Sequence, residues 1–312
     1  MGRSPLQVTP IGLGAWQWGD RWFWSYGKTH QRQDVQQAFA ASLTAGVNWV
    51  DTAEVYGNGA SERLLGEFLR DGGGPVVVAT KFMPFPWRLQ GRDLLRSLQR
   101  SLARIGVERV DLYQIHQPLP PVAIRAWMQA MAEAYAQGLV RAIGVSNFDQ
   151  RQMLAAAEAL SQFGLPLASN QVKFSLLARQ PESSGLLAAC RQHQITLIAF
   201  SPLAQGLLTG KYTREKRPPG VRRWMASRVP PDRLSHLVHV LREIGQAHGG
   251  RTPAQVALNW VIGKGAVAIP GAKNAAQAAE NAGALGWRLT EAELAALDLA
   301  AEAGASARPG SS

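Results

Sequence analysis

Eight short apolar runs, separated by stretches whose apolar residues recur at helical spacing, constrain this chain more than any other feature. VNWVDTAEVY, VVVATK and VDLYQIH each hold a compact β-branched or aromatic run bounded by turn residues or helical pattern, which predicts strands. Between the first two lies SERLLGEFLR, with Leu64, Leu65, Phe68 and Leu69 at helical spacing, so the flanking strands are joined by a crossover and must lie parallel. Further strands are predicted at Ile11–Gly14, Val140–Val145, Ser169–Val172, Ile195–Phe200 and Ala266–Ile269. Between them, Val35, Ala38, Phe39, Ser42 and Leu43 share one helical face, as do Leu94, Leu98, Leu102 and Ile105, and Ile124, Trp127, Met128, Met131 and Tyr135. The pattern is that of an α/β protein, a (β/α)8 TIM barrel forming one domain over residues 1–303, with a short N-terminal hairpin and accessory helices, one of them near Asp232–His248. Residues 304–312, GASARPGSS, read as a flexible tail.

Parallel strands closed into a barrel bring their C-terminal ends to one face, where catalytic groups gather. Asp51, Tyr56, Lys81 and His116 stand at or just past three successive strand ends. A phenol with an ordinary pKa of about 10 donates protons poorly near neutrality unless a cation favours its ionised form. Lys81 supplies a cation, Asp51 can hold it in place, and a neutral His116 can donate a hydrogen bond to a carbonyl oxygen. Singly, Asp51 could be a helix cap and His116 a structural histidine; meeting at one rim, the four form an acid/base device that protonates a carbonyl oxygen. Asp111, earlier in its strand, is expected to be structural.

A chain of 312 residues with 46% hydrophobic content can bury one large core without a second domain. The single cysteine, Cys190, excludes an intrachain disulfide and sits in a helical apolar pattern as an inert thiol. With no signal peptide pattern and no membrane-spanning run, the protein is expected to be soluble and cytoplasmic, away from membranes. The formal charge of +11 raises nucleic acid as a partner, yet the excess is local: Arg214, Lys216, Arg217, Arg222, Arg223, Arg228 and Arg233 crowd the segment after the seventh strand. That distribution suits a small anionic cofactor, or simply a solvated basic loop, and no nucleic-acid role is expected. His236 and His239 have zinc-ligand spacing but no companions, so no metal is expected.

The blocks GVNWVDTAEVYGNGASERLLGEFL, RVDLYQIHQP, GLVRAIGVSNF, SNQVKFSLL, AFSPLAQGLLTGKY and IPGAKNAAQAAEN closely resemble those of the aldo-keto reductase superfamily, in the family's order, from about Ile11 to Asp298. The resemblance implies an Asp, Tyr, Lys and His tetrad, carried by Asp51, Tyr56, Lys81 and His116, working with a nicotinamide hydride on a small-molecule carbonyl. GLGAWQ and YGNGAS lack the third glycine of a Rossmann fingerprint, so the cofactor falls to the barrel-end loops after the last two strands. By resemblance, Ser201, Pro202, Leu203, Gln205, Gly206, Thr209 and Lys211 would wrap the pyrophosphate. Gly271, Lys273 and Gln277 would face the adenosine phosphate, and Glu280 and Asn281 the adenine. Ser146, Asn147 and Gln171 would bind the nicotinamide carboxamide, Phe200 would stack on the ring, and Trp16 and Asp51 would border it. A cation at Lys273 favours NADP(H), although it could be only a solvent-facing lysine, and the arginine that some branches carry at Gln277 is missing.

The aromatics Trp16 and Trp24 after the first strand, and Phe82 and Trp87 after the third, are candidates for a substrate pocket with Tyr56 and His116; packing beneath the loops explains some of them equally well. The insert WQWGDRWFWSYG is similar to that of plastid and cyanobacterial members described as pyridoxal reductases. SPLAQGLLTGKY also resembles the potassium-channel β subunits, which keep the barrel and NADP(H) but serve as channel partners. Sequence leaves substrate and oligomeric state open.

Overall fold

The structure, a computed structural model, describes residues 1–72, 74–213, 216, 218 and 221–303. The expected tail at 304–312 and Arg214 and Arg217 of the basic segment lie outside the described residues, as does the side chain of Arg222. The strands are β1 (Leu13–Gly14), β2 (Trp49–Asp51), β3 (Val77–Phe82), β4 (Val110–Ile115), β5 (Val140–Ser146), β6 (Leu167–Lys173), β7 (Thr196–Phe200) and β8 (Val267–Ile269). They form one sheet in chain order, every adjacent pair parallel. The flanks of β1 and β8 also pair: Gly12 N donates to Ala268 O at 2.8 Å and Ala268 N to Pro10 O at 2.9 Å, which joins the two edges into a barrel. The helix Pro231–Ala247 is the expected accessory element, packed on Glu291–Glu302 and on Pro253–Gly263.

Because side chains alternate along a strand, the barrel interior is built in layers. Trp49, Ala79, Leu112, Ala142, Ala168, Ile198 and Ile269 form the lower layer with Leu6. Two residues further along β2, β3 and β4 the same inward face presents Asp51, Lys81 and Gln114. Apolar packing below and polar groups above thus come from one period of two.

The N-terminal segment departs from the expected hairpin. Residues 1–10 contain no strand; Ser4 N donates to Met1 O at 3.1 Å to make a turn, and Leu6 is inserted under the barrel's lower layer. Pro5 has no N–H to give to a ladder, and a buried leucine plugs the barrel without one.

Candidate active site

Lys81, on the inward face of β3, is completely buried and forms an ion pair with Asp51, which is equally enclosed at the end of β2. A buried ion pair persists only when its remaining hydrogen-bonding capacity is filled. Here it is. The three N–H groups of Lys81 go to Asp51 Oδ1, to Thr52 O at 2.8 Å and to Tyr56 Oη at 3.4 Å. Asp51 Oδ2 accepts from Gln114 Nε2 at 3.0 Å and Gln171 Nε2 at 2.8 Å.

Tyr56 opens a short 3-10 turn, Tyr56–Gly59, directly after β2. Gly57 and Gly59 have φ of 55° and 81°, and Cβ atoms at Gly57 would meet Gly19 at 2.7 Å, so glycine is what lets this turn fold tightly against the insert after β1. The turn places the phenol above Lys81, whose Nζ lies 5.0 Å from the ring centroid. His116 follows β4 and meets the Tyr56 ring edge to face at 5.7 Å. The four headgroups anticipated from strand ends therefore meet at one rim.

Burial pushes the Tyr56 hydroxyl above its ordinary range; Lys81 pulls the other way without prevailing, so the phenol is neutral near neutrality. Sequence chemistry foresaw only the pull of Lys81. Burial acts against the Lys81 charge, but Asp51 and Tyr56 overcome it and hold the ammonium above its usual value. Burial, aided by Lys81, pushes His116 down to about 3, so its imidazole is neutral. Its Nδ1 is sealed without a partner among the described residues, which leaves Nε2 as the ring nitrogen able to meet a ligand.

These groups open onto a cavity of about 730 Å³ that runs across the C-terminal face of the barrel. Trp16, Trp24, Tyr56 and His116 line it, with Trp16 stacked on Phe23 at 4.9 Å and edge-on to Trp24 at 5.5 Å. Asp51, Ser146, Asn147, Gln171 and Phe200 belong to the same wall. Asn147 Nδ2 donates to His116 O at 3.0 Å and to Ser146 Oγ at 3.1 Å, tying the ends of β4 and β5 together. Ser201, Pro202, Leu203, Gln205, Gly206, Thr209 and Lys211 line the next portion, in a loop where Ser201, Ala204, Gln205 and Gly206 all have positive φ. Backbone of this kind clusters at functional sites. Gly271 and Lys273, just ahead of the helix Ala275–Ala282 that Asn274 caps, and Gln277, Glu280 and Asn281 within that helix complete the lining.

Phe82 and Trp87 are not on this wall, and the pocket assignment made for them from sequence is corrected. Since Lys81 points inward, its neighbour Phe82 must point outward, where it is fully buried against Trp127 at 5.0 Å. Trp87 is 72% exposed and stacks on Phe85 at 4.6 Å, away from the cavity. Met83, one residue past Phe82, lines the cavity instead. Gln17, Thr29, Gln114 and Gln117 were also missed. Gln114 could have been found by counting two residues back from His116 along an alternating strand, whereas Thr29 belongs to a loop whose path no local pattern reveals.

Lys273 is no free surface lysine: its ammonium donates to Trp24 O at 3.1 Å and lies 5.2 Å from the Trp24 ring centroid. The aromatic insert therefore reaches from Tyr56, whose ring lies 6.2 Å from that of Trp16, to Lys273 just ahead of the helix beginning at Ala275. Gly271 lets the Gln17 amide lie close against it: a Cβ there would stand 1.9 Å from that side chain, which would have to move.

The profile of the Aldo/keto reductase family matches residues 10–302. The chain belongs to that family. It is 40% identical to the chloroplastic pyridoxal reductase of Arabidopsis thaliana, over 96% of this chain and 85% of the relative. Among solved structures it is similar to a thermostable aldo-keto reductase crystallised with the inhibitor epalrestat, with a TM-score of 0.78 and 32% identity over 96% of this chain and 98% of the other. A Klebsiella pneumoniae aldo-keto reductase in complex with NADPH is similar with a TM-score of 0.72 and 30% identity, over 94% and 90% of the two chains. The protein is thus an oxidoreductase of the aldo/keto reductase family. Among the described residues no helix is long and apolar enough to cross a membrane.

Proposed function

We propose that this protein reduces aromatic aldehydes to alcohols with NADPH, Tyr56 acting as the proton donor. The observation that carries this reading is the direction of one hydrogen bond. Tyr56 Oη accepts from Lys81, so its own proton is left to point into the cavity.

The cofactor is NADP(H), and the cavity fits it. Gln17 Oε1 is a buried acceptor on the wall with no partner among the described residues, Lys211 and Lys273 bring positive charge, and the N-terminus of the helix Ala275–Ala282 faces the same space. Ser146, Asn147 and Gln171 would hold the carboxamide end, Phe200 would lie on the ring, and Lys273 with Gln277 would meet the adenosine phosphate. NADPH, when bound there, would supply the hydride for the carbonyl carbon. His116 Nε2 orients the carbonyl oxygen, Tyr56 gives it the proton, and Lys81, held by Asp51, stabilises the phenolate that remains.

The part of the wall formed by Trp16, Trp24, Val55 and Met83 suits a flat ring, and the pyridoxal reductase relative makes pyridoxal the first aldehyde to try. The buried Cys190, its thiol pushed up to about 12 by burial, takes no part in this chemistry. The test follows NADPH absorbance with pyridoxal, benzaldehydes and short aliphatic aldehydes. Aromatic aldehydes should be consumed fastest and Tyr56→Phe should slow consumption by about 10²-fold or more; a Tyr56→Phe variant as active as wild type would exclude this mechanism.

A further inference from the structure

Gln114 lies on β4 in register with Lys81 of β3 on one side and Gly144 of β5 on the other. It is fully buried, yet polar, and it stands behind the cavity wall. Its amide is engaged at both ends: Nε2 donates to Asp51 Oδ2 at 3.0 Å, and Oε1 accepts from Gln171 Nε2 at 3.2 Å. Gln171 Nε2 in turn donates to Asp51 Oδ2 at 2.8 Å. The carboxylate paired with Lys81 offers acceptors only, so both glutamines must present nitrogen to it. Both N–H groups of Gln171 are then used inside the protein, and its Oε1 is the amide atom left for the cavity that Gln171 lines. Room for this arrangement comes from Gly144, where a Cβ would stand 2.5 Å from Ser169 Oγ and 3.0 Å from Gln114 Cγ.

We infer that Gln114 is a positioning residue that locks the Gln171 amide with its carbonyl oxygen facing the cavity, ready to accept from the N–H of a nicotinamide carboxamide. Through the same amide it shares the Asp51 oxygen that Lys81 leaves free. One buried side chain thereby couples the proton-donating group to the cofactor-holding group. The inference rests on the NADP(H) reading of the cavity.

Two variants test it. Gln114→Leu keeps the volume and removes both hydrogen bonds. Gln114→Glu keeps the acceptor and regains the donor only while the new carboxyl is protonated, in the company of Asp51, Lys81, Tyr56 and His116. The first readout is binding, followed by quenching of tryptophan fluorescence, of NADP+ and of its 3-acetylpyridine analogue, which has no amide N–H. Wild type should prefer the carboxamide form, and Gln114→Leu should reduce that preference by about tenfold, the worth of one neutral hydrogen bond. The second readout is the pH dependence of kcat. Gln114→Glu should lose activity as pH rises through an ionisation that neither wild type nor Gln114→Leu shows. A leucine variant with the wild-type preference, or a glutamate variant with the wild-type pH profile, overturns the role. If Gln114→Leu does not fold, the glutamate pH profile alone decides. Failure of wild-type protein to bind either dinucleotide would remove the cofactor reading itself, and this role with it.

Discussion

Tyr56 Oη accepts a hydrogen bond from Lys81 Nζ at 3.4 Å, and this contact sets the direction in which the phenol can give up its proton. Lys81 has no other N–H to spare, since Asp51 and Thr52 take the rest. Tyr56→Phe should therefore leave the fold and NADPH affinity unchanged while lowering kcat by about 10²- to 10⁴-fold, the range for loss of a general acid. Fluorescence titration of NADPH beside single-turnover reduction separates the two effects.

Lys81→Met leaves Asp51 buried without its cation. Loss of one member of a buried pair costs about 3–5 kcal/mol, so this variant should lose stability as well as turnover, in contrast to Tyr56→Phe. Urea denaturation of both proteins checks it: equal midpoints would contradict the enclosed pair.

His116 predicts a pH dependence of stability. Its folded pKa of about 3 lies below the ordinary imidazole value of 6.5, so the unfolded chain binds the proton first as pH falls. The neutral imidazole's stabilising share is therefore complete above pH 6.5 and is lost on acidification at about 1.4 kcal/mol per pH unit, until the folded form also protonates. Between pH 6.5 and 4.5 wild type should lose about 2–3 kcal/mol more than His116→Gln. Parallel acid-side losses in the two proteins would show that the ring is not kept neutral by burial.

Phe82 and Trp87 separate packing from substrate contact. Phe82→Ala removes a fully buried ring and should cost about 3–5 kcal/mol. Trp87→Ala should change neither stability nor aldehyde KM, because its ring is exposed and away from the cavity. Met83→Ala, in contrast, should raise KM for aromatic aldehydes with little change for a short aliphatic one. A KM effect at Trp87 larger than at Met83 would overturn this assignment.

Lys273→Ala should weaken NADPH binding by about tenfold or more, as expected for a charge-assisted contact, and leave NADH nearly unaffected. Because the ammonium also holds Trp24 O at 3.1 Å, the same change should loosen the insert and raise aldehyde KM. Measuring Kd for both nucleotides beside KM distinguishes the two contributions.

What the sequence settled by itself was whatever depends on neighbours in the chain. Apolar runs alternating with amphipathic stretches fixed eight parallel strands, and the ends of those strands put Asp51 and Lys81 at one rim. A strand period of two, applied from Lys81 to the next residue, would have turned Phe82 away from the pocket. Tertiary structure decided what depends on strand register and loop path. Register brought Gln114 and Gln171, 57 positions apart, onto one oxygen of Asp51. The fold of the insert carried Trp24 to Lys273, 249 positions away. Apolar periodicity is written in adjacent residues, whereas a polar contact between distant strands is set by how the closed barrel staggers them, and no short stretch of sequence records that.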